Sequence, residues 1–199
     1  AYYAMVAHVD ALLGQVLALD EAPPPGLGLA PNMVHLEMTP TSVLLELVDQ
    51  VPLAPSDLLV DLGSGLGQVA VCIHLLTGAA TLGIERDPQW VAFAVRMAHR
   101  LHADGARFVA SDARDADLRA GTVFYLFTPF TGAILESVLA RLAEVARLHP
   151  ITLCSYGDCT SVLGSQSWLV PADAHHDHAF KLAIWHGGEQ RPPGCHLAP

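Results

Sequence analysis

The segment LLVDLGSGLGQVAVCIH, Leu58 to His74, constrains this chain most: an apolar run enters three glycines at alternate positions and leaves as a helix-patterned stretch. A short apolar run followed by glycines and then helical periodicity predicts a buried strand, a tight turn and a helix. Gly63, Gly65 and Gly67 let the backbone turn sharply and come close to a ligand with no Cβ in the way. The spacing is not that of the dinucleotide fingerprint G-x-G-x-x-G, whose third glycine would fall at position 68, where the chain has Gln68. No G-K-[ST] ending follows, which excludes a phosphate-binding P-loop.

The surrounding sequence repeats the same alternation. DLLVDLG, TLGIERD, ARFVASD, TVFYLFTPF and ITLCSYGD read as strands; GQVAVCIHLLTG, PQWVAFAVRMAHRLHADG and TGAILESVLARLAEVARLHP read as helices. Strands separated by helices of ten or more residues imply parallel strands with crossover helices. The expected fold is therefore a doubly wound, mostly parallel, seven-stranded Rossmann-like α/β sheet. SWLVPAD and HAFKLAIWHGG supply the last two strands as an antiparallel pair at its edge. Upstream, Val6, Val9, Leu12, Leu13, Val16 and Leu17 predict a helix burying one face. APPPGLGLAP, from Ala22 to Pro31, breaks it and reads as a connector. TPTSVLLELVDQV then predicts a second helix, with Thr39 as N-cap and Pro40 at the first helical position. This gives an N-terminal helix and connector over 1–38, one domain over 39–188 and a tail over 189–199.

Composition limits the partners. Ten basic residues against twenty acidic ones give a net charge of −10, and Lys181 is the only lysine. Binding to nucleic acid or an anionic membrane needs clustered cations and is not expected. Cys72, Cys154, Cys159 and Cys195 form no CxxC pair, so neither structural zinc nor a disulfide framework is indicated, and a cytoplasmic location is expected. The run HHDH, His175 to His178, is read as a solvated turn with no metal role. The oligomeric state is left open.

In a parallel sheet the ligand crevice lies at the carboxyl ends of the strands. Asp61, Glu85 and Asp112 sit at three such ends. A carboxylate such as Glu85 can accept hydrogen bonds from both hydroxyls of a ribose. Three carboxylates around a glycine turn suit a nucleoside carrying positive charge and repel a pyrophosphate. S-adenosyl-L-methionine, with a sulfonium and an ammonium, has that character.

VDLGSGLGQ, GIERDP and VASDARDADL resemble, in order and spacing, the motifs of the class I S-adenosylmethionine-dependent methyltransferases, over roughly Thr39 to Asp158. The pairing of MTPTSVLLELVD with DLGSGLGQVAV is similar to the non-SET-domain lysine methyltransferases of the disruptor-of-telomeric-silencing type and their small prokaryotic relatives. The resemblance implies that Asp61, Gly63, Ser64, Gly65 and Gly67 line the methionine side of the cofactor, with Gln68 orienting nearby backbone. It implies Glu85 on the ribose, Arg86 or Asp87 beside the adenine, and Asp112 with Ala113 at the base edge. Thr128 to Phe130 take the place where relatives keep substrate-facing residues; Thr128 stands where many amino-methylating relatives have Asn. Tyr156, in a segment expected to be a loop, could fold over the acceptor. Thr128, Phe130 and Tyr156 are thus the candidate catalytic residues. The implied activity is methylation of a protein lysine; the alternatives are a small-metabolite acceptor and a non-catalytic cofactor-binding module.

Overall fold

The computed structural model describes residues 2–28, 31–173 and 178–188. Strands β1 (Leu58–Leu62), β2 (Ala80–Glu85), β3 (Ala106–Ala110), β4 (Val123–Phe127), β5 (Ile151–Tyr156), β6 (Leu169–Pro171) and β7 (Ala183–Gly187) form one sheet in the order β3-β2-β1-β4-β5-β7-β6. The first five are parallel, while β7 runs antiparallel to both β5 and β6. The expected antiparallel pair is present, but the later strand β7 lies inside and the short β6 forms the edge.

The central strands β1, β4 and β5 are mostly buried because both faces of the sheet are covered there, whereas the edge strands β3 and β6 are partly exposed. Along β1 and β4 the side chains alternate between two cores. Val60, Leu62, Phe124 and Leu126 pack with Ile134, Leu135, Val138 and Leu142 of α5 (Gly132–Leu148). Leu59, Val123 and Tyr125 face Leu44 and Leu47 of α2 (Thr41–Gln50), Val69 and Ile73 of α3 (Gln68–Thr77), and Phe93 and Met97 of α4 (Pro88–Arg100). The order reverses between β1 and β4, the neighbours on either side of the glycine turn, which creates the crevice.

Three expectations about local structure are corrected. The N-terminal helix, α1 (Tyr2–Val16), buries less than its pattern suggests: Val9, Leu12 and Val16 are 40%, 46% and 61% exposed, while Leu13 and, just past the helix, Leu17 join the core. Thr39 does not cap α2. Its hydroxyl lies 3.1 Å from the Tyr125 hydroxyl in the core, and the first helical N–H, that of Thr41, donates to Asp10 of α1 at 2.7 Å. The segment after β5 is not a loop, since Cys159–Gly164 forms a short helix, α6. Among the described residues, no helix is long and apolar enough to cross a membrane.

Candidate functional site

The sheet's carboxyl end opens into a cavity of about 330 Å³, within the range of small-ligand sites. Gly63 and Gly65, both at positive φ (79° and 51°), form its floor. A Cβ on Gly63 would collide with Pro129, and one on Gly65 with Leu36, so only glycine lets these segments close over the turn. The N–H groups of Gly63 and Ser64 both donate to the Ile84 carbonyl, tying the turn to β2.

One end of the cavity is polar. Glu85 lies on the wall, and its carboxylate accepts from the Gly65 N–H (3.0 Å) and the Asp87 N–H (2.8 Å). A carboxylate has about four acceptor positions, so further hydroxyls can bind there. Ser111, Asp112 and Ala113 continue this wall. Arg114 holds the Asp112 carboxylate through Nε (2.9 Å) and Nη2 (2.8 Å) and keeps it below the usual carboxylate range. Arg86 also lines the cavity, with its guanidinium donating to the Gly28 carbonyl at 2.8 Å. The opposite end is apolar: Met33, Phe127, Pro129, Phe130 and Ile134 surround Thr128.

Several expected site residues lie behind this wall. Asp61 is buried and does not reach the cavity surface; desolvation, then the charge of Glu85, raises its carboxyl to about 8, and its Oδ2 has no partner. Ser64 and Gln68 are also buried off the wall, and Ser64 Oγ and Gln68 Oε1 lack partners. Gln68 Nε2 donates to the Thr39 carbonyl at 3.1 Å, the physical link between the upstream TP segment and the glycine turn. Gly67 (φ 85°) starts α3 and packs under Ala94 and Phe108. Tyr156 ends β5 and packs edge-on against Phe127, ring centroids 5.0 Å apart, one layer behind the wall. Burial and the Glu46 carboxylate raise its hydroxyl above the ordinary tyrosine value.

Thr128 and Phe130 do line the cavity. Thr128 has φ 32°, an outlier for a β-branched residue, and such strain persists only where the surroundings impose it. Its hydroxyl is engaged, accepting from the Cys159 N–H (3.3 Å) and donating to the Tyr156 carbonyl (3.4 Å). The turn at β4 is thereby tied to the start of α6.

Sequence reasoning missed the outer wall. Pro25, Leu27, Gly28 and residues 33–37 belong to the segment read as a connector or leading out of it, yet they cover the cavity. Asp87, expected beside adenine, is the latch for this strap. Its Oδ2 accepts from the N–H groups of Gly26 (2.6 Å) and Leu27 (2.9 Å), while Oδ1 caps α4 through Gln89 N (2.9 Å). At the far end Val34 N–H donates to Pro129 O and Thr131 N–H to Asn32 O. Phe127, at the end of β4, also reaches the cavity wall. A run of proline and glycine signals only that no helix forms; the partners that hold it lie about sixty residues away. His175, His176, Asp177 and the tail 189–199 lie outside the described residues. Among the described residues no group of metal-ligating side chains is found.

The residues fit a cationic nucleoside. Asp61 Oδ2 is a buried carboxyl oxygen without a partner, Glu85 keeps acceptor capacity on the wall, and the polar end adjoins an apolar one.

Residues 31–112 match the model of the family described as Histone methylation protein DOT1. No curated protein sequence matches the chain. The fold is similar to an RNA methyltransferase from Salinibacter ruber crystallised with S-adenosyl-L-homocysteine: TM-score 0.61, 23% identity, covering 79% of this chain and 98% of that one. It is also similar to a putative methyltransferase, yhhF, from Escherichia coli: TM-score 0.61, 16% identity, 75% and 88% covered. A third is the precorrin-6y C5,15-methyltransferase of Geobacter metallireducens: TM-score 0.58, 16% identity, 79% and 93% covered. The fold is thus the Rossmann-like fold of class I methyltransferases.

Proposed function

We propose that this member of the class I S-adenosylmethionine-dependent methyltransferase superfamily transfers a methyl group to the side-chain amine of a protein lysine. The observation that carries the reading is the two-ended cavity, with Glu85 and Asp112 at one end and Phe127 to Phe130 at the other, joined by the glycine floor. The family match, over residues 31–112, takes in the TP segment, the glycine floor, Glu85 and Asp112, and ends before Phe127 to Phe130. S-adenosylmethionine, when bound, supplies an electrophilic methyl on its sulfonium. Glu85 would hold the ribose hydroxyls, and the backbone at Gly63 and Gly65 would lie against the methionine part. Asp61 would balance the cofactor's positive charge from beneath.

The acceptor end works by position and desolvation. An amine attacks only through its neutral lone pair, and an apolar wall of Pro129, Phe130 and Ile134 lowers its pKa. The Thr128 side chain is already occupied, so its backbone carbonyl is the group that would accept the amine N–H. The strap residues 25–28 and 33–37, which border the cavity, would exclude water from the transfer. The same strap favours a second reading, a small-metabolite acceptor, because it encloses the cavity on the side a protein must approach.

The test is transfer of labelled methyl from S-adenosylmethionine to cell extract, fractionated into macromolecules and metabolites. Label in a protein band that yields methyl-lysine on hydrolysis is expected. Label confined to small molecules sinks the lysine reading and selects the second. Cofactor binding without any transfer makes the chain a non-catalytic binding module.

A further inference from the structure

We infer that Arg141 is a positioning residue for the nucleoside end of the cavity, acting through the turn at residues 112–116; the inference rests on the methyltransferase reading. β3 ends at Ala110, and the ladder closes with Ser111 N–H donating to the Glu85 carbonyl. The chain then makes one helical winding, with the Asp115 and Ala116 N–H groups both on the Asp112 carbonyl. A winding that stops there leaves its last carbonyls with no following helical turn to bond them. A single guanidinium, reaching across from α5, meets them. Arg141 Nη1 donates to the carbonyls of Ala113 (3.0 Å) and Arg114 (2.7 Å), and Nη2 donates to that of Ala116.

The consequence falls on the cavity. Ser111, Asp112 and Ala113 continue the wall beside Glu85, and two of the three bonds hold residues 113 and 114. Arg141 itself does not line the cavity, so any effect passes through the turn. Arginine suits this place because its planar fork presents several fixed donors, whereas a lysine ammonium is a mobile point charge. The Arg119 side chain chiefly holds the nearby Asp117 carboxylate below the usual range, and the Arg141 charge adds to it.

The test uses calorimetric affinity for S-adenosylhomocysteine and for 5′-methylthioadenosine, which share the nucleoside but not the amino-acid part. Arg141→Lys and Arg141→Ala are each expected to weaken both ligands by the same factor, about tenfold for loss of hydrogen bonds to a charged group. KM for the cofactor should rise with them while kcat at saturating cofactor stays within about twofold. Millimolar guanidinium should restore part of the affinity of Arg141→Ala. Should that variant fail to fold, Arg141→Lys, which keeps the stem and the charge, carries the measurement alone. Wild-type affinity in a folded variant, or a loss of kcat at unchanged cofactor KM, overturns the positioning role. A wild-type chain that binds neither ligand overturns the methyltransferase reading itself.

Discussion

Burial and the neighbouring Glu85 push the Asp61 carboxyl up to about 8, so the folded chain holds a proton there at neutral pH. In the unfolded chain the same carboxyl ionises near 3.9. The folded state therefore binds more protons between those values, and stability falls as pH rises from about 4 to about 8. Asp61→Asn, neutral throughout, should remove that decline, which thermal unfolding of both proteins at pH 5 and pH 8 measures. A cation brought beside Oδ2 lowers the carboxyl pKa again. S-adenosylhomocysteine keeps the ammonium, so its binding should release close to one proton at pH 7, read by calorimetry in two buffers of different ionisation enthalpy. Asp61→Asn should bind with no release, and equal release by both proteins would remove Asp61 from the site. Glu85 is different, because it touches the cavity and also holds the glycine turn. Glu85→Gln should weaken cofactor binding by about 1–3 kcal/mol, the loss of charge-assisted hydrogen bonds. Unchanged affinity in an equilibrium titration would take ribose recognition away from this residue. Both carboxylates were legible in the sequence because they end strands; that one lies behind the wall and the other on it was not. That difference depends on which way each strand's final side chains alternate.

At the level of elements, the helices and strands followed from periodicity, whereas the segments between them did not. The β1–turn–α3 unit and the helices α4 and α5 have a buried face that repeats along the chain, a local signal. The strap has none. Its order comes from Asp87, Arg86 and Trp90 on α4 and the turn before it, with the Trp90 indole N–H on the Pro23 carbonyl at 3.2 Å. The α1 pattern failed in the opposite way: it has helical spacing, but Leu13 and Leu17 supply what reaches the core and Val9, Leu12 and Val16 stay exposed. The latch gives a prediction that belongs to this scale. Asp87→Ala removes both the α4 cap and the anchor of Gly26 and Leu27, so it should cost about 1–2 kcal/mol from the cap alone. Hydrogen exchange should accelerate at the Gly26 and Leu27 amides while the β1 and β4 amides keep their protection at the loss in global stability. Undiminished protection at Gly26 and Leu27 would show that the strap is held without Asp87.

For the whole molecule, charge argues about the acceptor independently of the site. One similar structure is an RNA methyltransferase, and an RNA acceptor would demand a lane of cations leading to the cavity. The chain carries −10 overall. Five of its nine arginines are also committed internally: Arg86 to Gly28, Arg100 to the end of α1, Arg114 and Arg119 to Asp112 and Asp117, Arg141 to the 112–116 turn. Arg86 on the cavity wall and Arg114 beside the wall residue Asp112 thus direct their charge to a carbonyl and a carboxylate of the protein. A phosphate backbone would have to break these contacts and still face the surplus of carboxylates. A fluorescent single-stranded RNA is therefore expected to show no saturable binding below about 100 µM at 150 mM salt, the weak end of ordinary non-specific affinity. Anisotropy titration, repeated at 50 mM salt, reads this directly. Micromolar binding that weakens steeply with salt would mean that the committed arginines release their partners for phosphate. The acceptor would then be sought among nucleic acids before proteins.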